Sequence, residues 1–475
     1  MHYRPTARHR FIGAALSSAL LLTGLLSQAQ AQILPNAPQV AVYAEKLLDE
    51  QALGRDGPGV AILVTRGDQV LYRGARGMAS VELGVPLSPD QVFRIGSVTK
   101  QFAATTLLKL IDDGRAKLDD PLSKFLPDYP NGKAISLQQL LNHTSGVKSY
   151  TDIPDYMNNP VRRELSTQEL VVEFKNLPTD FAPGAEWKYN NSGYVLVGAV
   201  IEAISGKAWH EQLQDAVLAP QKLLHTDYPG ETKLIKGMVN GYGFDPKEGL
   251  TKAGIISMTQ PHGAGALVSN VDDLWHWNLA LHNGKLLSAD NYKKMTTPEG
   301  AATASAYGYG IIASSLRGQT MLQHGGGIYG FSSSLAYMPQ SKISVVVLRN
   351  TTGPGFSIDM VSRKLGAYAM GLPYPELKSI DLSTEQLKAF EGVYALDAKQ
   401  TRSLSLKGKQ LVSTRGNGRP APLTPIAGDA FAVVGSMAQI KALRGANGKV
   451  TAVQIYQDAD GAFETWTRKS DLPSQ

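Results

Sequence analysis

Ser97-Val98-Thr99-Lys100 places a hydroxyl and an amine three residues apart, where an apolar, helix-patterned segment begins. In a helix, residues i and i+3 lie on one face and can touch. A serine hydroxyl is a weak nucleophile at neutral pH, and an adjacent base activates it. A lysine amine can be that base when burial or nearby charge lowers its pKa. The pattern therefore indicates nucleophilic acyl chemistry.

A second Ser-x-x-Lys sequence, Ser145-Gly146-Val147-Lys148, shows that the pattern alone is not specific. Gly146 disfavours a helix and Ser145-Gly146 is typical of a turn, so this copy is predicted to be a loop. After Ser97, apolar residues recur at helical spacing and Gly114 marks the end of the segment. A helix is predicted over Lys100–Asp113, with Ser97 at its N-terminus, where the helix dipole stabilises a developing anion.

Tyr189 and Asn191 could supply further polar groups. They lie in a turn-like stretch that leads into Tyr194–Ser205, which is apolar almost all round and is predicted to be a buried helix. A tyrosine phenolate, stabilised by a nearby cation, can exchange protons with a serine. Two other Tyr-x-Asn sequences, which begin at Tyr129 and Tyr156, precede no such helix, and we expect them to be surface loops.

His324-Gly325-Gly326-Gly327 is the third element, and a strand pattern at Ser333–Met338 follows it. Three glycines let a backbone lie close beside a ligand. Their N–H groups could bind an oxyanion or a peptide-like substrate, with His324 adding a polar or cationic group. The same stretch spells Gly-x-Gly-x-x-Gly from Gly325 to Gly330, but a dinucleotide site requires a helix after it, and a strand is predicted there.

The first 31 residues match a secretory signal peptide. Arg4, Arg8 and Arg10 precede an apolar run over 11–26, and Ala29-Gln30-Ala31 fits a cleavage site before Gln32. The apolar run is too short for a membrane-spanning anchor. We expect an exported protein, periplasmic or secreted, without a stable membrane anchor.

Composition excludes several classes of function. The chain has no cysteine, which rules out disulfides and thiolate metal sites. Its formal charge of +6 falls to about +3 (6 − 3) without the three N-terminal arginines, too little to indicate nucleic-acid binding. The nine histidines form no His-Glu-x-x-His motif, and His143 and His276 are predicted to be structural. We expect no metal or cofactor, a small-molecule substrate and an open oligomeric state.

Two domains are predicted after the signal segment. From about Val40 to Tyr374 helix and strand patterns mix, with strands at both ends, at Gly59–Thr65 and Ile343–Leu348. This order favours an α+β domain whose terminal strands share one antiparallel sheet flanked by helices. After a proline-rich break, residues 382–470 are predicted to form a small antiparallel sandwich or barrel, with a hairpin at Asn447-Gly448.

Together these motifs resemble a known family. Ser97-x-x-Lys100, Tyr189-x-Asn191 and His324-x-Gly326 follow the order used by serine β-lactamases and penicillin-binding proteins. The chain is most similar to the class C-related branch, which includes family VIII esterases, D-aminopeptidases and D-alanyl-D-alanine carboxypeptidases. Supporting stretches are 93–96, 140–146 and 263–269. The resemblance covers about residues 40–374 and implies an all-α subdomain beside the sheet. The C-terminal segment resembles an appended lipocalin-like module.

The resemblance implies a role for each motif. Ser97 would form an acyl-enzyme, with Lys100 and Tyr189 sharing the general-base work. Asn191 would orient Lys100 and the substrate amide. The N–H groups of Ser97 and Gly327 would form an oxyanion hole, with Gly326 and His324 in the substrate-binding strand. His324 stands where β-lactamases usually carry a lysine, and a histidine is only partly charged near neutrality.

Three functions follow as hypotheses. The first is an exported serine hydrolase of esterase type or related to β-lactamases, since His324 is less suited than lysine to a β-lactam carboxylate. The second is a D-peptide hydrolase, either a carboxypeptidase or an aminopeptidase, that acts on cell-wall fragments. The third, from another class, is a non-catalytic peptidoglycan-binding protein, which the intact Ser, Lys and Tyr set argues against.

Overall fold

The computed structural model describes residues 34–51, 53–459 and 461–471, so the predicted signal segment lies outside the described residues. Within this part of the chain no helix combines the length and apolar character needed to cross a bilayer. The helices are α1 (Ala37–Glu50), α2 (Thr99–Asp112), α3 (Leu137–Leu141), α4 (Thr167–Lys175), α5 (Asn191–Ser205), α6 (Trp209–Leu213), α7 (His262–Gly265), α8 (Val271–His282), α9 (Ala289–Thr296), α10 (Ile358–Ala369) and α11 (Thr384–Lys388).

The strands form one large sheet, one barrel and three short pairs. They are β1 (Val60–Arg66), β2 (Gln69–Arg76), β3 (Met78–Ser80), β4 (Val85–Pro86), β5 (Phe93–Arg94), β6 (Tyr242–Asp245), β7 (Gly249–Lys252), β8 (Val268–Ser269), β9 (Ile312–Leu316), β10 (Gln319–Ile328), β11 (Phe331–Met338), β12 (Ile343–Arg349), β13 (Gly392–Ala395), β14 (Thr401–Lys407), β15 (Gln410–Arg415), β16 (Ala421–Ile426), β17 (Ala430–Val433), β18 (Gln439–Arg444), β19 (Val450–Tyr456) and β20 (Phe463–Ser470).

The large sheet is antiparallel, in the order β2-β1-β12-β11-β10-β9. It pairs the first strand of the domain with the last, Val60 opposite Arg349, which confirms the predicted sheet of terminal strands. Alternate residues of β12 face opposite sides, as the two-residue period of a strand requires. Val345 and Val347 pack with α1 and α10, whereas Val346 and Leu348 join the core that includes α2. Burial on both faces explains why β12 is apolar over Val345–Leu348 instead of alternating with polar residues.

Two buried helices carry the residues of interest. The predicted helix after Ser97 is α2, and Phe102, Leu107 and Leu108 are fully buried in it. The apolar segment after Tyr189 is α5, which is buried as predicted but begins at Asn191 rather than Tyr194. The helix begins earlier because the Asn190 side chain accepts the Gly193 N–H at 2.8 Å and thereby caps it.

Three local expectations are wrong. Tyr129 and Tyr156 lie in loops as predicted, but both side chains are buried, and the Tyr156 hydroxyl donates to the Gln260 side chain at 2.9 Å. His276 is exposed and stacks on Trp275, with ring centroids 4.7 Å apart, instead of packing in the core. Sequence neighbours alone did not determine which way these rings point.

The C-terminal strands form a closed antiparallel barrel, β13 to β20 in sequence order, in which β13 pairs with β20. The predicted hairpin at Asn447-Gly448 joins β18 to β19. Apolar side chains fill the barrel, among them Phe390, Phe431 and Trp466. Of the two predicted architectures, the barrel is therefore the correct one, and full closure removes exposed strand edges.

An ion pair joins the barrel to the helix layer of the large sheet. The Arg363 guanidinium of α10 is buried and pairs with the Asp458 carboxylate, which follows β19. The Tyr374 hydroxyl donates to the same carboxylate at 2.7 Å. Met437 and Ala459 of the barrel region pack in the same core cluster as α1 and α10. Polar and apolar contacts thus hold the barrel against the sheet.

Replacing this carboxylate tests the junction. We expect Asp458→Asn to lower the free energy of unfolding by roughly 2 kcal/mol, because Arg363 keeps a buried charge without its partner. The effect stays below that of a fully buried pair because the Asp458 side chain is 28% exposed. Asp471→Asn, which alters an ion pair whose carboxylate is 90% exposed, is the control and should cost less than about 0.5 kcal/mol. Equal losses of unfolding free energy in the two variants, measured by denaturant unfolding, would contradict the role assigned to the Arg363–Asp458 ion pair.

Candidate active site

Ser97 lies on a single 3-10 turn, Gly96–Val98, between β5 and α2. The turn requires Gly96 to adopt a φ of 52°, a region that favours glycine. A Cβ at this position would also lie only 2.9 Å from the backbone nitrogen of Gly327. The turn is therefore held against β10, which brings the Ser97 hydroxyl beside the glycine strand.

Lys100 is fully buried beneath Ser97. Its Nζ lies 3.2 Å from Ser97 Oγ, 2.8 Å from Asn191 Oδ1 and 2.8 Å from the Ala264 carbonyl oxygen. The first contact joins the 3-10 turn to the first turn of α2, at the i, i+3 spacing that the sequence predicts. The other two come from α5 and α7, which pack against α2. The amine is thus surrounded by three oxygen atoms.

These contacts match a neutral amine. Burial lowers the pKa of Lys100 well below its ordinary value, because removal from water disfavours the charged form. The amide oxygen of Asn191 and the carbonyl of Ala264 can only accept, so they take the two N–H groups of a neutral amine. The lone pair is then left for the proton of the Ser97 hydroxyl. The arrangement can remove that proton and so activate the oxygen.

Tyr189 packs on the other side of Lys100, whose Nζ lies 4.7 Å from the centre of its ring. Burial raises the pKa of Tyr189, and a hydrogen bond with the Ser97 side chain opposes this only in part. The phenol is therefore protonated at neutral pH. This corrects the expectation of a phenolate: Tyr189 is suited to donate a proton, and Lys100 is the group suited to accept one.

Asn191 belongs to the first turn of α5 rather than to a loop. Its Oδ1 accepts from Lys100, and its Nδ2 donates to Thr151 Oγ1 at 3.2 Å. The backbone N–H of Asn191 donates to Ser149 Oγ, also at 3.2 Å. These bonds fix which amide atom faces the lysine and couple the 149–151 loop to the site.

The two glycines of β10 have different environments. A Cβ at Gly326 would lie 2.0 Å from the Ile95 carbonyl oxygen, so this glycine permits close packing and does not line the cleft. Gly327 lines the cleft, and a Cβ there would have open space around it. In the register described, β9 pairs with β10 only over Gln319–Gln323, so the Gly327 edge is left for the Ser97 turn.

His324 does not face the cleft. It is buried, with Nε2 2.9 Å from the Tyr307 hydroxyl and Nδ1 2.6 Å from the Gly325 carbonyl. Because a carbonyl only accepts, Nδ1 carries the hydrogen and Nε2 accepts from Tyr307. Burial, with a smaller effect of Lys100, lowers the pKa of His324 to about 3. The expected partly charged, substrate-facing histidine is thus a neutral ring behind Tyr189.

A cleft of about 350 Å³ opens at Ser97. None of the described side chains that line it carries a charge. Sequence reasoning identified Ser97, Asn191 and Gly327 in this wall, and the stretches 93–96 and 263–269 of the family resemblance include Gly96, Ala264 and Gly265. It missed the other lining residues, which local patterns do not mark: Tyr150, Thr151, Met157, Ile256, Pro261, Ile328, Tyr329 and Thr352.

The other candidate features of the chain do not form a second catalytic or metal site among the described residues. Lys148 is partly exposed, and its Nζ pairs with the Asp180 carboxylate at 2.8 Å instead of contacting a serine hydroxyl. A larger cavity of about 910 Å³ lies beside Trp209 and His262, and none of the predicted site residues lines it. Among the described residues, no cluster of His, Asp and Glu could hold a metal ion.

Sequence comparison identifies the family. The profile of the Beta-lactamase family matches residues 44–367, well over half of the chain. The chain therefore belongs to the Beta-lactamase family. A D-aminopeptidase of Gluconobacter oxydans is 26% identical over 341 residues, which cover 71% of this chain and 63% of that enzyme. The chain spans less than two thirds of the length of the first curated relatives it matches.

Solved structures agree on the fold. A D-stereospecific amidohydrolase from Streptomyces is 28% identical, with a TM-score of 0.58 over 65% of this chain and 94% of that protein. An octameric penicillin-binding protein homologue from Pyrococcus abyssi reaches a TM-score of 0.65 at 24% identity, over 90% of this chain and 99% of its own. The second likeness, at this identity, concerns the fold alone.

Replacing the amide beside Lys100 tests the protonation assignment. Asn191→Asp puts a carboxylate at the same position, and an adjacent negative charge raises the pKa of an amine. We expect Lys100 to be protonated at neutral pH in this variant. A serine-reactive phosphonate should then label Ser97 about tenfold or more slowly at neutral pH, with recovery at higher pH. Asn158→Asp, at an exposed asparagine of another Tyr-x-Asn sequence, is the control. An unchanged pH profile in Asn191→Asp would contradict the assignment.

Proposed function

We propose that this chain is a serine hydrolase that cleaves esters or amides through an acyl-enzyme on Ser97. The observation that carries the proposal is the buried Lys100 amine, whose Nζ lies within hydrogen-bond distance of Ser97 Oγ, Asn191 Oδ1 and the Ala264 carbonyl oxygen. A charged structural lysine at this depth would need a carboxylate partner, and among the described residues Lys100 contacts none.

Acylation follows from the protonation states. Lys100 accepts the Ser97 proton as Oγ attacks the substrate carbonyl carbon, and the N–H groups of Ser97 and Gly327 stabilise the resulting oxyanion. The intermediate collapses as the bond to the leaving group breaks. Tyr189 gives its proton to that group and is reprotonated from the Lys100 ammonium. The products of this half-reaction are the acyl-Ser97 ester and the protonated leaving group.

Deacylation reverses these roles with water. Water attacks the acyl carbonyl, and its proton passes to the Tyr189 and Lys100 pair. The bond to Ser97 Oγ then breaks, and Oγ recovers its proton from Lys100. The balance is one water consumed for each acid and alcohol or amine released, and neither metal nor cofactor takes part in this scheme.

The uncharged cleft favours a neutral, apolar acyl group. Ile256, Ile328 and Met157 supply apolar surface, whereas His324, where β-lactamases usually carry a lysine, is neutral and turned away. A substrate carboxylate would lose water there without gaining a cation, which is costly. We therefore rank simple acyl esters and amides above β-lactams and peptides with a free carboxylate beside the scissile bond.

A second candidate is hydrolysis of D-aminoacyl amides. The names of two relatives, a D-aminopeptidase and a D-stereospecific amidohydrolase, support it. The absence of any carboxylate among the described residues that line the cleft argues against it, because the ammonium group of such a substrate would have no partner. Non-catalytic peptidoglycan binding remains the alternative from another class, and it requires that Ser97 is never acylated.

The nucleophile is tested with a matched pair of variants. We expect Ser97→Ala to lose roughly 10⁴-fold or more in kcat/KM and to show no mass increase with an activated ester. Ser145→Ala, in the second Ser-x-x-Lys sequence, should keep both activity and the acyl adduct. Intact-mass analysis after a short incubation gives the result directly. An adduct that persists in Ser97→Ala, or is missing from the wild type, would contradict the proposal.

Substrate charge is tested with two esters of equal acyl length. We expect kcat/KM for p-nitrophenyl butyrate to exceed that for mono-p-nitrophenyl succinate by at least about tenfold, because the added carboxylate has no partner in the cleft. D-alanine p-nitroanilide and its L enantiomer complete the panel. A preference for the succinate would show that a cation reaches the cleft, and a strong preference for the D-anilide would favour the second candidate.

A further inference from the structure

His143 has a strained backbone and a buried ring directly behind Tyr189. It follows α3 and adopts a φ of 64°, which few residues other than glycine tolerate. Its side chain is 1% exposed. This conformation points the His143 carbonyl and ring toward the segment that carries Tyr189.

Two hydrogen bonds from His143 hold the residues on either side of Tyr189. The Lys188 N–H donates to the His143 carbonyl oxygen at 3.1 Å. The Asn190 N–H donates to His143 Nδ1 at 3.2 Å. The His143 ring also packs on the Tyr189 ring, with centroids 4.5 Å apart. One residue therefore fixes the backbone before Tyr189, the backbone after it and the face of its ring.

The ring makes these contacts at a cost. Because Nδ1 accepts an N–H, the neutral imidazole carries its hydrogen on Nε2, and Nε2 is buried without a hydrogen-bond partner among the described residues. An unpaired buried donor is unfavourable. Burial, followed by Lys100 and His324, lowers the pKa of His143 well below its ordinary value, so the ring stays neutral. Phenylalanine would fill the same space without an orphaned donor, but it has no acceptor for Asn190.

We propose that His143 is a positioning residue that fixes Tyr189 for proton delivery to the leaving group, and that it thereby sets how well the site cleaves amides relative to activated esters. The inference rests on the proposed function. When an amide is cleaved, the Tyr189 O–H proton moves to the nitrogen as the C–N bond breaks, and the amine leaves neutral. A p-nitrophenolate leaves with the electron pair and needs no proton, so its departure depends little on Tyr189.

The test compares a p-nitroanilide with the p-nitrophenyl ester of the same acyl group. We expect His143→Phe, which keeps a ring and loses the acceptor, to lower kcat/KM for the anilide about 100-fold and that for the ester less than about fivefold. His143→Asn keeps an acceptor and tolerates this backbone conformation, so it should retain the anilide-to-ester ratio within about fivefold. Equal losses on both substrates, no loss on either, or a ratio in His143→Asn as low as in His143→Phe would overturn the inference.

Two controls separate positioning from general damage. His282→Phe alters another histidine that stacks on a tyrosine, Tyr337, with centroids 4.4 Å apart, and it should leave the ratio unchanged. Tyr189→Phe should reproduce the selective loss, and adding His143→Phe to it should lower the ratio no further. If His143→Phe fails to fold, His143→Gly gives the comparison, because glycine tolerates the φ of 64° and has no side-chain acceptor for the Asn190 N–H; it should lower the anilide-to-ester ratio as well.

The burst of p-nitrophenol from the ester distinguishes the two proposals. A burst that depends on Ser97, with an unchanged ratio in the His143 variants, would overturn the positioning role alone. A wild-type protein that neither hydrolyses the ester nor gains an acyl mass on Ser97 would overturn the proposed function itself.

Discussion

Burial of the Lys100 amine is the constraint on which the site depends. An ammonium group at this depth would need a counter-ion, and the hydrogen-bond partners of Lys100 among the described residues are instead two acceptor oxygens and the Ser97 hydroxyl. The favourable state is therefore the neutral amine, whose lone pair faces the serine. Burial disfavours the ammonium form of Lys100. It thereby supplies the neutral amine that a serine nucleophile needs as its base.

The surrounding fold keeps water from Lys100 and brings its partners together. The 3-10 turn that leads into α2 places Ser97 beside Lys100, α5 contributes Asn191 from its first turn, and α7 contributes the Ala264 carbonyl. Close backbone approach at Gly96 and Gly326 then seals the serine turn against β10. His143, His324 and Tyr307 complete a neutral aromatic wall behind Tyr189. None of these groups carries a negative charge that would raise the pKa of Lys100 and favour its protonated form.

Sequence patterns predicted what local periodicity controls. The helix after Ser97, the buried helix before Gly206, the terminal strands in one sheet and the Asn447-Gly448 hairpin follow from spacing and turn chemistry. Closure of the barrel and the faces of Tyr129, Tyr156 and His276 did not follow, since contacts between distant segments determine them. The same limit applied at the site. The lysine partner on Ala264 is a backbone atom far away in sequence, and the neutrality of His324 arises from burial, which residue type does not reveal.

The protonation state of Lys100 is the central claim, and a direct titration tests it. In protein labelled with ¹³C at the lysine ε carbons, the Lys100 resonance is assigned by its loss in Lys100→Met and followed from acid to alkaline pH. The account predicts that this resonance titrates well below the ordinary lysine value of 10.5 and reports a neutral amine at neutral pH. Titration together with the exposed lysines, near that ordinary value, would contradict it.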